Sequence, residues 1–186
     1  MKLLKKVFIL NGVGTSGKGE LVSRLGKYIP VYGYSIVDLP KQAAKVLGWD
    51  GSKSEKDRKF LSDIMDLSEE YNDAPFKNVL SIVTDFKNNL IETEVLMIDM
   101  RDPKDIARAV ETFGAETILI DNPNVRKIES NHADANVKNY EYDYIIENDG
   151  TLEQLDKVAK IFCCDVIYGG YVSDEHKPFR LKCSDY

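Results

Sequence analysis

A lysine that closes a run of glycines is the first chemistry the sequence offers. Gly12-Val13-Gly14-Thr15-Ser16-Gly17-Lys18-Gly19-Glu20 follows the apolar run Val7-Phe8-Ile9-Leu10 and leads into a helical pattern. The glycines leave the backbone free to curl with its N–H groups pointing inward, and the following helix aims its positive end at the same spot. That combination binds phosphate. Gly12 to Lys18 fits the spacing G-x-x-x-x-G-K in the strand-to-helix setting that makes the motif specific. Residues Gly12, Val13, Gly14, Thr15, Ser16, Gly17, Lys18, Gly19 and Glu20 are therefore expected to line a nucleotide's phosphates, with Lys18 on the β- and γ-phosphates as a point charge. Gly19 stands where a Ser or Thr hydroxyl usually holds magnesium, and Glu20 follows it. A carboxylate at position 20 either binds the cation or repels the triphosphate, so nucleotide binding is better supported than phosphoryl transfer.

Further charged residues stand at the ends of apolar runs. Val95-Leu96-Met97-Ile98-Asp99 ends in an acid placed to orient magnesium, or else to serve as a strand-end turn residue. Asp38, after Val31 to Val37, reads as a base or sugar ligand for an acceptor and equally as a helix N-cap. Arg101 has the geometry to grip an acceptor phosphate in bidentate fashion, and Arg126 or Lys127 to close over a transferring phosphate. For each of these the competing reading is a solvated surface charge. Arg58 is a weaker phosphate candidate, His132 has no partner that can be named, and Trp49 suits packing more than base stacking.

The elements that must position these groups alternate. Leu4 to Leu10 is a first strand too apolar for a sheet with one wet face, and Lys18 to about Tyr28 a helix stopped by Pro30. Val31 to Val37 is a second strand, and a helix then runs from Asp38 to about Leu47. Ser54 and Asp57 form a capping box for a helix bearing Phe60, Leu61, Ile64 and Met65. Pro75 starts another, with Phe76, Val79, Leu80, Val83, Phe86 and Leu90 at helical spacing. Strand three at 95–99 leads to helix 103–113, strand four at 117–121 to a turn-rich stretch, 122–139, expected to be a mobile loop. Tyr142 to Ile146 is strand five, and Thr151 with Gln154 caps the helix after it. No pattern is legible in the last twenty or so residues. Alternation of this kind indicates an α/β fold in which five parallel strands carry helices on both faces, with ligands at the strand C-terminal ends.

Composition narrows the function classes. A chain of 186 residues, 43% hydrophobic, can bury one full core. A net charge of −6 argues against general nucleic-acid binding. No apolar run reaches the roughly eighteen residues a membrane span needs, and no signal peptide is legible, so a cytoplasmic location is expected. Cys163, Cys164 and Cys183 have neither metal-ligand spacing nor a disulfide plan and read as reduced.

The chain resembles the P-loop nucleoside and deoxynucleoside monophosphate kinases, in particular the phage-type deoxynucleoside monophosphate kinases and the related dephospho-CoA kinases. The likeness spans about residues 5 to 162. It rests on Gly12 to Lys18, on Ser35-Ile36-Val37-Asp38-Leu39-Pro40-Lys41, on Ile98-Asp99-Met100-Arg101 with Asp105 after it, and on Asn148-Asp149-Gly150-Thr151-Leu152-Glu153-Gln154-Leu155. It implies a three-layer P-loop NTPase fold over residues 1–165, with a helical acceptor-site insertion at 52–92 and a C-terminal tail at 166–186. It also implies ATP and Mg2+ as cofactors, Lys18 as phosphate ligand, Asp38 near the acceptor and Arg101 on the acceptor phosphate. The expected activity is transfer of the γ-phosphate to a small phosphorylated acceptor, most simply a (deoxy)nucleoside monophosphate. The alternatives are a nucleotide-binding protein without transfer and a dephospho-CoA kinase-like enzyme. Two positions depart from the pattern: Glu20 replaces a Thr, and Asp121-Asn122-Pro123 stands in place of an Arg-Pro pair.

Overall fold

The computed structural model describes residues 5–125, 136–169 and 178–186. Its centre is β1 (Lys6–Asn11), whose last five residues are all buried. Around it stand β2 (Val31–Ser35), β3 (Val95–Asp99), β4 (Glu116–Asp121), β5 (Tyr144–Glu147) and β6 (Phe179–Lys182), in the order β2-β3-β1-β4-β5-β6 and with every pair parallel. Successive side chains of β1 point to opposite faces. Val7 and Ile9 join Phe76, Val79, Val83 and Phe86 of α4 (Ala74–Lys87) and Ile106, Ala109 and Phe113 of α5 (Pro103–Phe113). Phe8 and Leu10 join Leu21 and Leu25 of α1 (Lys18–Leu25) and Leu155, Val158 and Ala159 of α6 (Leu152–Ile161). The three layers follow from an apolar strand that must be covered twice.

The register decides what meets at the upper edge of the sheet. Asp99 lies level with Leu10 on one side and Ser35 on the other, so the ends of β1, β2 and β3 deliver their loops together. Between β2 and β3 lie α2 (Asp38–Val46), α3 (Glu55–Asn72) and α4. Ser54 and Asp57 form the expected capping box of α3, and Thr151 and Gln154 that of α6. α3 has no fully buried residue.

Two expectations are corrected. The sheet has six strands, not five: Phe179–Lys182 pairs with β5, burying Leu181 opposite Ile146, while Arg180 and Lys182 reach Glu147 and Asp149 at 3.5 Å. α6 runs on into a π-helical segment, Phe162–Tyr168, that buries Cys163, Val166 and Ile167. Asp38 is not an N-cap: Val37 holds that place without a side-chain bond, and the Asp38 carboxylate turns back to accept from Ser35 N at 2.9 Å. The three cysteines are free, and burial pushes the Cys163 and Cys183 thiols up to about 11.

Acids gather where α3 ends and α4 and α5 begin. Burial, and after it Asp102, pushes the Asp105 carboxyl up to about 6, and Glu69 is raised chiefly by burial. Between pH 4 and 6 the folded chain holds a proton on Asp105 that the unfolded chain has lost, so stability falls as pH rises through that window. Asp105→Asn removes this loss. It is expected to stabilise the chain at pH 7 by roughly 1 kcal/mol after solvent screening, and by nothing near pH 4. Urea melts of both forms at the two pH values check this.

Candidate functional site

The loop between β1 and α1 has the shape its glycines permit. Gly12 has φ 153°, and an added Cβ would lie 2.6 Å from the Ile120 carbonyl oxygen; at Gly17, φ 106°, it would meet the Asn148 amide. Both positions therefore need glycine. Ser16 N donates to Val13 O at 3.2 Å, and Leu21 N to Gly17 O at 2.9 Å starts the helix. Lys18 Nζ donates to Gly12 O at 2.5 Å and Val13 O at 3.1 Å, which seats the ammonium in the mouth of the loop. Ser16 is fully buried and its Oγ has no hydrogen-bond partner among the described residues. Thr15 is exposed and donates to Gly14 O at 2.6 Å.

Asp99 stands beside this loop. Its Oδ1 is shielded from solvent and has no hydrogen-bond partner among the described residues. Burial raises its pKa, and the positive charges of Lys18, then Arg101, then Lys41 oppose the rise, while Asp38 adds to it. One charged group is thus assembled from three strand ends: Lys18 after β1, Asp38 and Lys41 after β2, Asp99 and Arg101 at and after β3. Lys41 Nζ pairs with Asp38 at 3.0 Å. A groove of about 280 Å³ opens beside them, lined by Tyr34, Asp38, Lys41, Gln42 and Lys45 among others.

The residues fit an anion and a cation together. The glycine loop at the N-terminus of α1 and Lys18 suit phosphate oxygens, and an unpartnered carboxylate oxygen suits a divalent cation. Among the described residues no group of three or more His, Cys, Asp or Glu could hold a metal ion, so Asp99 would share such a cation with phosphate oxygens and water. Gly19 offers no hydroxyl. Glu20 turns along the helix to Arg24 at 2.8 Å, and Arg24 reaches Asp156 of α6 at 3.1 Å, so the carboxylate is engaged in an α1–α6 strap.

Other sequence candidates fall outside this group. Arg58 Nε donates to Lys53 O at 3.2 Å, and Trp49 Nε1 to Ser52 O at 3.1 Å, both at the surface. Asp121 pairs with Lys138 at 2.7 Å, and Asn122 Oδ1 accepts from Asn124 N at 2.9 Å in a turn. Arg126, Lys127 and His132 lie outside the described residues. Sequence reasoning gave no role to three residues that shape the loop. Asn148 Nδ2 donates to Ser16 O at 2.8 Å, and its N–H to Asp121 O at 2.7 Å. Asn11 and Tyr142 meet beneath Gly12. A lone polar residue ending an apolar strand was the available signal for Asn11.

No protein-family model matches the chain, and no curated protein sequence matches it. Solved structures with a similar fold include shikimate kinase from Aquifex aeolicus, at 15% identity and TM-score 0.45, covering 88% of this chain and 99% of that one. A GTPase from Pyrococcus abyssi in its apo form is 10% identical with TM-score 0.46, covering 97% of this chain and 91% of that one. Thymidylate kinase from Ehrlichia chaffeensis is 12% identical with TM-score 0.33, covering 96% and 93%. At these identities and scores the likenesses carry no statement about activity, which has to be read from this chain's own residues. Among the described residues, no helix is long and apolar enough to cross a membrane.

Proposed function

We propose that this chain transfers the γ-phosphate of ATP to a small phosphorylated acceptor of the (deoxy)nucleoside monophosphate class. The observation that carries the proposal is the Lys18 ammonium seated in the Gly12–Gly17 loop, with the unpartnered, solvent-shielded oxygen of Asp99 in the same charged group. Lys18 exchanges the carbonyls of Gly12 and Val13 for phosphate oxygens, and the loop amides take the remaining charge. Arg101 holds the acceptor's phosphate. Asp38, already paired with Lys41 at the groove, orients the acceptor, and Arg126 is assigned to the transferring phosphate. A magnesium ion supplies neutralisation of charge between the phosphates, and Asp99 is the residue that would hold it.

A second reading, nucleotide binding without transfer, is favoured by one specific observation. Gly19 lacks the magnesium-holding hydroxyl, and Glu20 is tied to Arg24. The two are separated by turnover. Incubation with ATP, magnesium and a panel of nucleoside monophosphates plus dephospho-CoA is expected to yield a diphosphate product from at least one monophosphate; binding of ATP with no transfer to any acceptor favours the second reading. An added Cβ at Gly19 has nothing within 4 Å, so the first side-chain atom of Gly19→Thr meets no neighbour. The new hydroxyl is expected to tighten magnesium-dependent ATP binding by about three- to tenfold, and calorimetry with and without magnesium reads it.

A further inference from the structure

We propose that Asn11 and Tyr142 are positioning residues that lock the phosphate loop to the backbone of Arg101, through a buried relay that touches neither nucleotide nor acceptor. Asn11 is fully buried at the end of β1, on the face that β1 shares with α4 and α5. Its Oδ1 accepts from Gly12 N at 2.7 Å; its Nδ2 donates to Tyr142 Oη at 2.7 Å and to Arg101 O at 3.3 Å. Tyr142 Oη donates in turn to Val137 O at 2.7 Å. Both hydrogens of the amide nitrogen are used and the hydroxyl both accepts and donates, so the Asn11 amide and the Tyr142 hydroxyl are both satisfied.

What the relay holds is specific. Gly12 has its N–H fixed by Asn11 and its carbonyl fixed by Lys18, so the orientation of the first loop peptide and the seat of the ammonium depend on each other. The same Asn11 side chain fixes the carbonyl of Arg101, two residues past Asp99, and Tyr142 ties the assembly to the turn at 136–138. Two parts of the charged group on different strands are set by one amide. A buried asparagine there costs desolvation that an apolar residue would avoid, and the bonds it makes go to site backbone, not to the core. The inference rests on the phosphate-loop reading of Gly12 to Lys18.

Tyr142→Phe removes the hydroxyl and keeps the ring; Asn11→Ser is the second variant, shortening the amide while leaving a small polar group. In the ligand-free chain, hydrogen exchange of the Gly12 amide is expected to accelerate on the order of tenfold in both, while the Ile9 amide of the same strand stays as in the wild type. ATP affinity is expected to fall about three- to tenfold in both. A purely structural role would instead speed Gly12 and Ile9 together, and that result overturns the proposal. So does an unchanged Gly12 rate in Tyr142→Phe and Asn11→Ser. If wild-type protein shows no ATP binding while Gly12 exchange responds as stated, the nucleotide reading fails and the relay stands as a lock on the loop alone.

Discussion

Lys18→Ala is expected to weaken ATP binding about a hundredfold, because a charge-assisted bond to phosphate in a partly enclosed loop is worth about 3 kcal/mol. Arg101 and Lys41, the other cations of the charged group, stand after β3 and β2 and not in the loop itself. The melting curve also tests whether the variant stays folded, since the ammonium ties the carbonyls of Gly12 and Val13 together. Calorimetric titration of both forms, with a melting curve as control, measures this. An affinity within threefold of wild type, in a folded variant, would remove Lys18 from the site.

Asp99→Asn is expected to act in opposite directions on stability and on function. Burial raises the carboxyl above its ordinary 3.8, so the charged form costs more in the folded chain than in the unfolded one. Unfolding then releases a proton, and the contribution of Asp99 to stability declines as pH rises from about 4 through its folded value. At pH 7 the neutral amide is expected to stabilise the ligand-free chain, although Lys18 and Arg101 lose a counter-charge. The magnesium dependence of ATP binding should vanish, and transfer should fall by roughly a hundredfold or more, since a carboxylate ligand to the cation is lost. Urea melts at pH 5 and 7, with ATP titrations in magnesium and in chelator, read both effects. A destabilised variant that keeps its magnesium dependence would assign Asp99 to structure.

Much of this architecture can be read before any coordinates. The capping boxes at Ser54 and Thr151 are local pairs three residues apart, and the apolar strands 7–10 and 95–98 announce burial on both faces. Parallel strands of that kind put their C-terminal residues together, so the company of Lys18, Asp38, Asp99 and Arg101 follows from topology. What stayed hidden depends on partners far away in sequence. Phe179–Lys182 is a four-residue edge strand with a charge at every second place, and only its pairing to β5 gives it an identity. Asn11 and Tyr142 are 131 residues apart, and neither type predicts the other. The turn of Asp38 toward Ser35 N reflects a competition between two backbone donors that composition does not rank.

The central claim is that the loop from Gly12 to Gly19 holds a triphosphate, and amide NMR of the full chain during an ATP titration tests it most directly. The account predicts that the Gly12, Gly14, Gly17 and Gly19 signals move in saturable steps with one shared affinity, while those of Gly48 and Gly51, past the C-terminal end of α2, and of Gly114, before the first residue of β4, stay in place. Unmoved loop glycines at saturating ATP, or equal movement of Gly48, Gly51 and Gly114, would contradict it.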